Sequence, residues 1–342
     1  MLYVFHAALF FILKHVFILY LKVNNIVFLS SALNHKFMSQ DILENLWKRT
    51  LTSATDFDTD TKTWDQEIKA LYQLGISMED TMSFLYTKQP DFENFKNWID
   101  SKKKNAIGIE EEVTDNVLSE EDLEFWNENG YVIVKNAISV KDCKDTEKAI
   151  WDFLKMDPDH KETWYMRHEN QKGLMLNFSD HETLHKNRFS PKIKKAYEQL
   201  YKTTQIYKTI DKVSFNPPET EDFSFLGSPL HWDISLQQPL TFGFQGLLYL
   251  TDCGINDGAF QCVPGFHNKI IDWLNNLEPN ENPRTKALET LQPKAIVGNA
   301  GDFIIWNNTL PHCASPNRGK KPRMVQYLTY LPNDYDSSGK WI

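Results

Sequence analysis

Two side chains that commonly bind metals stand close together in the segment His231-Trp232-Asp233. In a β-strand, residues i and i+2 point to the same face, so this spacing would place an imidazole and a carboxylate side by side. Such a pair could begin a metal site. By itself the pattern is weak, because the chain contains ten histidines and a lone histidine is more often a core or loop residue than a ligand.

A second histidine strengthens this hypothesis. His312 follows Pro311, soon after the apolar run Asp302–Trp306, which predicts a buried strand. Two imidazoles and one carboxylate on one face of a jelly roll form the facial triad that suits non-haem Fe(II), with positions left open for other ligands. We therefore predict that His231, Asp233 and His312 bind iron and carry catalysis.

An iron oxygenase that uses 2-oxoglutarate also needs a fixed cation for the distal carboxylate of this diacid. Arginine suits the role because its planar guanidinium can bind a carboxylate through two hydrogen bonds and keeps its charge. Arg323 opens the last predicted strand, and alternation along this strand places four residues on one face: Arg323, Val325, Tyr327 and Thr329. Arg318 lies in a turn and is predicted to be solvated.

The C-terminal half of the chain alternates short β-prone runs with turn residues. The predicted strands are Lys212–Asn216, Thr241–Leu250, Ala259–Val263, Ala295–Val297, Asp302–Trp306 and Met324–Tyr330. Many short strands with few helices between them favour an antiparallel sandwich or jelly roll over a doubly wound sheet. The sequence contains no G-x-G-x-x-G or Walker-type loop, which argues against the usual nucleotide-binding sites. We predict a mainly β domain with flanking helices over residues 113–342.

Residues 39–105 have a helical pattern instead. Apolar residues recur at helical spacing from Trp64 to Tyr72, Ser77 and Asp80 have the spacing of a helix cap, and another helix is predicted after Pro90. The sequence therefore predicts a small N-terminal helical region. It shows no cluster of titratable groups that suggests chemistry, so we predict a scaffolding or dimer-contact role.

Charge and cysteine content restrict the function further. The net charge of −9 gives no sign of the basic surface that nucleic-acid-binding proteins use, so no nucleic-acid partner is predicted. The four cysteines form no C-x-x-C pair, which argues against a zinc ribbon or a dense disulfide framework. We predict reduced thiols in a cytoplasmic protein.

Residues 1–37 leave three interpretations open. The apolar run from Leu2 to Leu13 is shorter than the roughly 20 residues that a membrane-spanning helix needs. A signal peptide would have basic residues before its apolar segment, and none precedes Leu2. The third interpretation is that Met38 is the true start and that the upstream segment is a gene-model artefact. Membrane contact is expected only if the segment is a genuine anchor.

Several further stretches occur in the order typical of one family of iron oxygenases. They are Gly130–Val134, Leu230–Asp233, Gln245–Asp252, Gly258–Phe260, Val263–His267, Gly301–Phe303, Leu310–His312, Pro316-Asn317 and Arg323. Over residues 115–332 the chain resembles the phytanoyl-CoA dioxygenase family. The resemblance implies a double-stranded β-helix core, which is a jelly roll of the cupin kind.

The resemblance also implies an activity. Family members are Fe(II)- and 2-oxoglutarate-dependent dioxygenases that consume O2 and release succinate and CO2. Carried over to this sequence, His231, Asp233 and His312 would bind the iron, and Arg323 would form a salt bridge with 2-oxoglutarate. Related halogenases have a small residue at the position of Asp233, so the carboxylate favours hydroxylation or another oxidation. His267 is not a family ligand and is predicted to be structural.

The family name does not identify the substrate. The sequence shows no basic patch placed for the phosphates of a CoA thioester, so we predict a small organic or lipid-like molecule. Four residues are candidates to face the pocket, each of which could equally be structural: Arg167, Arg188, Trp232 and Gln245. The sequence does not predict the oligomeric state.

Two other functions stay open. A jelly roll could keep the metal site but act only as a binding or scaffold protein, although the complete set of four site residues counts against this. A zinc hydrolase could use the same three ligands, but a hydrolytic water would not require Arg323.

Overall fold

The structure, a computed structural model of the 342-residue chain, describes residues 41–51, 61–103 and 115–336. The segment 1–37 lies outside the described residues, so all three interpretations of it stay open. The chain divides into two compact units between Thr55 and Asp56. In the first unit, residues 41–51 form helix α1. All other described elements belong to the second unit.

The second unit consists of helices α2–α10 and strands β1–β12 over its described residues. The helices are α2 Thr61–Gln73, α3 Met78–Lys88, α4 Phe92–Lys103, α5 Glu120–Asn129, α6 Val140–Leu154, α7 Glu182–Arg188, α8 Pro191–Tyr201, α9 Ile270–Asn275 and α10 Pro283–Thr290. The strands are β1 Tyr131–Val134, β2 Gln171–Lys172, β3 Met175–Leu176, β4 Ile206–Lys208, β5 Val213–Asn216, β6 Phe244–Tyr249, β7 Phe260–Cys262, β8 Lys294–Ile296, β9 Phe303–Asn307, β10 His312–Ala314, β11 Arg323–Tyr327 and β12 Tyr330–Pro332. Short 3-10 helices cover Lys161–Tyr165 and Phe266–Asn268.

The strands form three sheets, and the strand pairs found in the described residues are antiparallel. The large sheet has seven strands in the order β1-β9-β6-β11-β5-β3-β2, the small sheet has the order β10-β7-β8, and β12 pairs with β4. This confirms the predicted mainly β fold with antiparallel sheets and flanking helices. The division into residues 39–105 and 113–342 stays a prediction.

The large sheet is buried on both faces, because successive side chains of its strands enter two different apolar cores. On β9, Phe303 and Ile305 pack with α5, α6 and α8 in what we call the helix-side core. Ile304 and Trp306 point the other way, into what we call the inter-sheet core. The inter-sheet core also contains Phe260 of β7, so the large and small sheets share it.

Strand β11 shows the same alternation. Met324 lies in the helix-side core, whereas Val325 and the partly buried Tyr327 belong to the inter-sheet core. Gln326 also faces the helices, where its side chain donates to the backbone carbonyl of Leu184 at 3.0 Å. We call the face that carries Val325 and Tyr327 the inner face of this strand. It is the face that the sequence predicted to line the site.

The small N-terminal helical region is confirmed by helices α2–α4. Ser77 caps α3, because its hydroxyl accepts a hydrogen bond from the backbone N–H of Asp80 at 3.1 Å, as the spacing of these residues predicts. Leu71, Leu85 and Phe95 provide a buried side chain from each of the three helices.

Two further observations concern the environment of the chain. None of the helices in residues 41–51, 61–103 and 115–336 is long and apolar enough to cross a membrane. All four cysteines are buried and form no disulfide bonds. The cytoplasmic location itself stays a prediction.

The six predicted strands each correspond to an observed strand, with small differences at the ends. The run Met324–Tyr330 is divided because β11 pairs with β5 and β6, whereas β12 pairs with β4. Sequence reasoning missed β10. This strand is only three residues long and follows Pro311, and it has no alternating apolar pattern by which it could be recognised.

The close packing around Gly246 on β6 gives a first prediction. A Cβ atom at this position would lie 2.5 Å from Phe303 Cζ, 2.5 Å from the hydroxyl oxygen of Tyr197 and 2.6 Å from the backbone oxygen of Leu328. We expect Gly246→Ala to lower the free energy of unfolding by about 1–3 kcal/mol, because a packed core accepts an added methyl group only by shifting. Urea denaturation measures this change.

Gly243→Ala is the matched control. Its Cβ would lie 3.2 Å from the nearest atom, the side-chain nitrogen of Asn308, so a smaller loss is expected. Equal losses in the two variants would show that close packing is not what excludes a side chain at Gly246.

Candidate metal centre and cavity

The two histidines of the predicted triad lie on neighbouring backbone segments at the edge of the small sheet. His312 opens β10 and stands opposite Cys262 of β7. On its other side, the N–H of His231 donates to the carbonyl of His312 at 3.0 Å, and the N–H of His312 donates to the carbonyl of His231 at 2.9 Å. Residues paired in this way project their side chains from the same face. The centroids of the two imidazole rings are 4.7 Å apart.

Asp233 completes the cluster. Its Oδ2 lies 3.1 Å from His312 Nε2 and its Oδ1 lies 3.5 Å from His231 Nε2. The three candidate ligand atoms all lie within 4.8 Å of one another. The predicted strand geometry is wrong at this point, because only His231 is paired and the chain bends at Asp233. The bend still brings the carboxylate to the imidazoles.

Each imidazole is oriented by a carbonyl two residues earlier in the chain. His231 Nδ1 lies 2.7 Å from the carbonyl oxygen of Pro229, and His312 Nδ1 lies 3.1 Å from that of Leu310. A carbonyl only accepts hydrogen bonds, so Nδ1 carries the hydrogen in both rings. Nε2 of each ring is then left with its lone pair directed at the carboxylate.

This arrangement fits a metal ion. The Nε2 lone pairs lie 3.1 Å and 3.5 Å from the oxygens of the Asp233 carboxylate. Each lone pair and the carboxylate repel each other unless a proton or a cation lies between them. Partial burial tends to raise the pKa of Asp233, but the hydrogen bonds that the imidazoles of His231 and His312 donate when a proton occupies these gaps hold the pKa well below its usual range. The carboxylate is therefore ionised at neutral pH. Two nitrogens and one oxygen form the donor set that suits non-haem iron.

A hydrogen-bond relay from the large sheet orients the carboxylate. The side-chain amide of Gln245 donates to Asp233 Oδ2 at 2.8 Å, and the indole N–H of Trp306 donates to Gln245 Oε1 at 3.1 Å. Because the indole only donates, it fixes which end of the Gln245 amide faces Asp233. Trp306 also packs against His312, with ring centroids 5.2 Å apart.

Arg323 lies on the inner face of β11 and lines the same cavity as the triad. Its side chain is 1% exposed, and its Nη2 donates to the hydroxyl of Ser214 at 3.2 Å. Its Nε is buried and has no hydrogen-bond partner among the residues that the structure describes. Leaving a buried donor unpaired is costly, so the guanidinium is prepared for an anion that enters the cavity.

The cavity has a volume of about 770 Å³ and extends well beyond the triad. Leu174, Met175 and Leu226 give part of its lining an apolar character. Charged groups line it too. Lys212 lies beside Tyr327 of the large sheet, and the backbone N–H of Tyr327 donates to the carbonyl of Lys212 at 3.0 Å.

The N-terminal helical region contributes to this cavity. Glu79 of α3 lines it and pairs with Lys212, whose Nζ lies 2.6 Å from Oε1 and 2.5 Å from Oε2. Sequence reasoning missed Glu79 because a single acidic residue in a helix gives no sign of the distant lysine. The helical region therefore also contacts the cavity wall, and its scaffolding or dimer-contact role stays a prediction.

Cys313 also lines the cavity, directly after His312. Burial raises the pKa of its thiol to about 11, so the thiol stays protonated at neutral pH. Its Sγ donates to Oε1 of Gln261 at 3.6 Å, and the cluster of candidate ligand atoms does not include it. We therefore assign the side chain to packing, as the sequence suggests.

The other residues that the sequence analysis considered differ in whether they line the cavity. Of the four residues considered for the pocket, only Gln245 lines the cavity. Trp232 is buried in the inter-sheet core. Arg188 is buried and its Nη2 donates to the carbonyl of Asp211 at 2.9 Å, and Arg167 is exposed. Arg318 is 72% exposed, as predicted for a solvated loop residue.

Comparison with known proteins gives a family match over this region. Residues 126–325 match the family described as phytanoyl-CoA dioxygenase (PhyH), which is more than half of the chain. A protein of Dictyostelium discoideum named "Putative phytanoyl-CoA dioxygenase" is 22% identical over 268 residues, covering 64% of this chain and 77% of that protein.

Three solved structures are similar to this chain. AviO1 from Streptomyces viridochromogenes Tue57 aligns with 66% of this chain and 100% of its own, at 15% identity and a TM-score of 0.49. The non-haem α-ketoglutarate-dependent carbocyclase SnoK of nogalamycin biosynthesis aligns with 65% and 88%, at 18% identity and a TM-score of 0.45. The epimerase SnoN, in complex with Fe3+, α-ketoglutarate and nogalamycin RO, aligns with 65% and 87%, at 15% identity and a TM-score of 0.47.

The relay from Trp306 through Gln245 to Asp233 leads to a second prediction. Removing a group that orients a metal ligand typically weakens metal binding about 10- to 100-fold. We expect Gln245→Leu to weaken Fe(II) binding in this range, and Trp306→Phe to weaken it less because the Gln245 amide remains. Anaerobic equilibrium dialysis with Fe(II) measures both affinities. A larger loss for Trp306→Phe than for Gln245→Leu would contradict this order of action.

Proposed function

This chain belongs to the phytanoyl-CoA dioxygenase family, and from that premise we propose that its iron is held by His231, Asp233 and His312. The enzyme is an Fe(II)- and 2-oxoglutarate-dependent dioxygenase. The observation that carries the ligand assignment is the convergence of two Nε2 atoms and a carboxylate within 4.8 Å. Both imidazoles are held in the tautomer that leaves Nε2 available.

The bound iron supplies the oxygen-activating chemistry that couples substrate oxidation to the conversion of 2-oxoglutarate and O2 into succinate and CO2. The protein's part is to bind and orient the reactants. Asp233 supplies negative charge, and the two Nδ1 hydrogen bonds prevent the imidazoles from rotating. The ring faces of Trp306 and Phe260, with centroids 5.2 Å and 5.9 Å from that of His312, exclude water from one side of the centre.

Arg323 binds the distal carboxylate of 2-oxoglutarate in this proposal. Its burial, its neutral partner Ser214 and its unpaired Nε all support a salt bridge with an incoming anion. Arg323 and the triad line the same cavity, so the 2-oxo acid end of the diacid would face the metal that His231, Asp233 and His312 would hold. A zinc hydrolase would have no use for this buried cation.

The substrate occupies the part of the cavity that 2-oxoglutarate leaves free. A volume of about 770 Å³, shared with 2-oxoglutarate, suits a small organic molecule. The apolar side chains of Leu174, Met175 and Leu226 would contact its carbon skeleton, and the Lys212–Glu79 pair would contact a polar group. The reaction is a hydroxylation or a related oxidation.

We also propose that the two larger sheets form the double-stranded β-helix of the family. Support comes from the antiparallel strand order of both sheets and from the inter-sheet core that they share. In that architecture the metal centre lies between the sheets, where His312 of the small sheet faces Trp306 of the large one.

The central test is the formation of the Fe(II)–2-oxoglutarate chelate. We expect the purified protein to develop a weak visible charge-transfer band when Fe(II) and then 2-oxoglutarate are added without oxygen. His231→Ala and His312→Ala should abolish the band, because each removes a ligand. Absorption spectroscopy in an anaerobic cuvette measures it. Iron binding without a band would refute the assignment of 2-oxoglutarate as the cosubstrate. The absence of iron binding would favour a non-catalytic scaffold.

The role of Arg323 gives a separate prediction. A hydrogen bond to a charged group contributes about 1.5–3 kcal/mol, so Arg323→Ala should raise the 2-oxoglutarate concentration for the half-maximal band about 10- to 100-fold. Iron affinity should stay unchanged. Arg318→Ala is the control, because this arginine is 72% exposed. If Arg323→Ala and the unaltered protein need the same 2-oxoglutarate concentration for the half-maximal band, another residue binds the distal carboxylate of 2-oxoglutarate.

A further inference from the structure

Arg284 connects a distant helix to the bend that carries Asp233. Its Nη1 donates to the carbonyl of Trp232 at 2.8 Å, and its Nη2 donates to the carbonyl of Ile234 at 2.8 Å. These carbonyls flank Asp233 on both sides. One planar guanidinium therefore holds the backbone immediately before and immediately after a predicted metal ligand.

This bend needs such support. The last paired residue before it is His231, and Trp232, Asp233 and Ile234 belong to no strand. The Asp233 side chain is 52% exposed, so packing does not fix its position as it fixes that of His312. Its carboxylate is located by the backbone that bears it and by the hydrogen bond from Gln245.

Arg284 is itself held firmly in place. It lies in the first turn of α10, where the Asn282 side chain accepts hydrogen bonds from the backbone N–H groups of Arg284 at 2.9 Å and Thr285 at 3.0 Å. This is an ordinary helix N-cap. The helix start thus sets the origin of the arginine side chain, and the rigid fork of the guanidinium sets the spacing of the two carbonyls.

The back of the bend is anchored by the same part of the chain. Trp232 is 1% exposed, its indole N–H donates to the carbonyl of Thr309 at 2.8 Å, and its ring lies 6.1 Å from those of Phe266 and Trp273. Residues 266–291, between β7 and β8, therefore contact the bend both through these rings and through Arg284.

We propose that Arg284 is a positioning residue for Asp233 and sets metal affinity by holding the backbone carbonyls of the two residues on either side of this ligand. The inference rests on the proposed metal centre. A displacement of about 1 Å is enough to impair a metal or catalytic site. Without the guanidinium, the two carbonyls lose their common partner and the carboxylate loses its fixed position relative to the two imidazoles.

Calorimetric titration of the tag-free protein with Ni(II) tests this inference. Ni(II) is the probe because it binds nitrogen and oxygen ligands more tightly than Fe(II). We expect Arg284→Met to weaken Ni(II) binding about 10- to 100-fold, the range typical of residues that orient a ligand. Arg284→Lys, which keeps the charge but lacks the fork, should lose less. Lys286→Met is the control, because this helix residue pairs with Glu281.

A double-mutant cycle separates positioning from a general structural role. If Arg284 acts through Asp233, then Arg284→Met should have no further effect on Ni(II) affinity in the Asp233→Ala background. Loss of the same size in both backgrounds would overturn the proposal. If Arg284→Met does not fold, the same double-mutant cycle with Arg284→Lys tests the proposal instead.

The outcomes also separate this inference from the proposed function. Suppose that the unaltered protein binds Ni(II), that His231→Ala loses this binding, and that Arg284→Met keeps the same affinity. This result would overturn only the role of Arg284. Failure of the unaltered protein to bind Ni(II) would overturn the metal centre and the inference with it.

Discussion

Two reciprocal backbone hydrogen bonds between His231 and His312 are the contact on which the candidate site depends. They join the end of the irregular segment before residue 231 to the edge of the small sheet, at 2.9 Å and 3.0 Å. Paired backbones permit little sliding, so the two imidazoles stay side by side. The carbonyls that orient the rings, of Pro229 and Leu310, stand two residues before each histidine. The same local chain path therefore both directs each ring and sets its tautomer.

The large sheet separates stability from chemistry. Its outer face packs on helices through the helix-side core, while its inner face carries Arg323, Gln245 and Trp306 towards the cavity. On β11, Met324 packs in the helix-side core, Val325 packs in the inter-sheet core, and Arg323 lines the cavity. Neighbouring positions in its sequence should therefore tolerate substitution in different ways, since the two close-packed positions resist a change of side-chain volume.

The sequence predicted what depends on local pattern. Strand alternation placed Arg323 on the inner face, and the apolar runs gave the positions of the main strands. The geometry of Asp233 was predicted for the wrong reason, because the bend and not a strand brings it to the histidines. Glu79, Arg284 and the relay through Gln245 depend on contacts between segments far apart in the chain. No spacing rule reports such contacts, so only the folded structure revealed them.

The contact between Glu79 and Lys212 bears on how the protein should be produced for ligand discovery. A fragment beginning at residue 113 would retain every predicted metal and cosubstrate residue, yet it would lose the carboxylate that neutralises Lys212. Its pocket would carry an additional positive charge. A compound library screened on this fragment would be enriched in anions that the whole chain has no reason to bind. The N-terminal boundary of the expressed protein thus changes which ligands are selected.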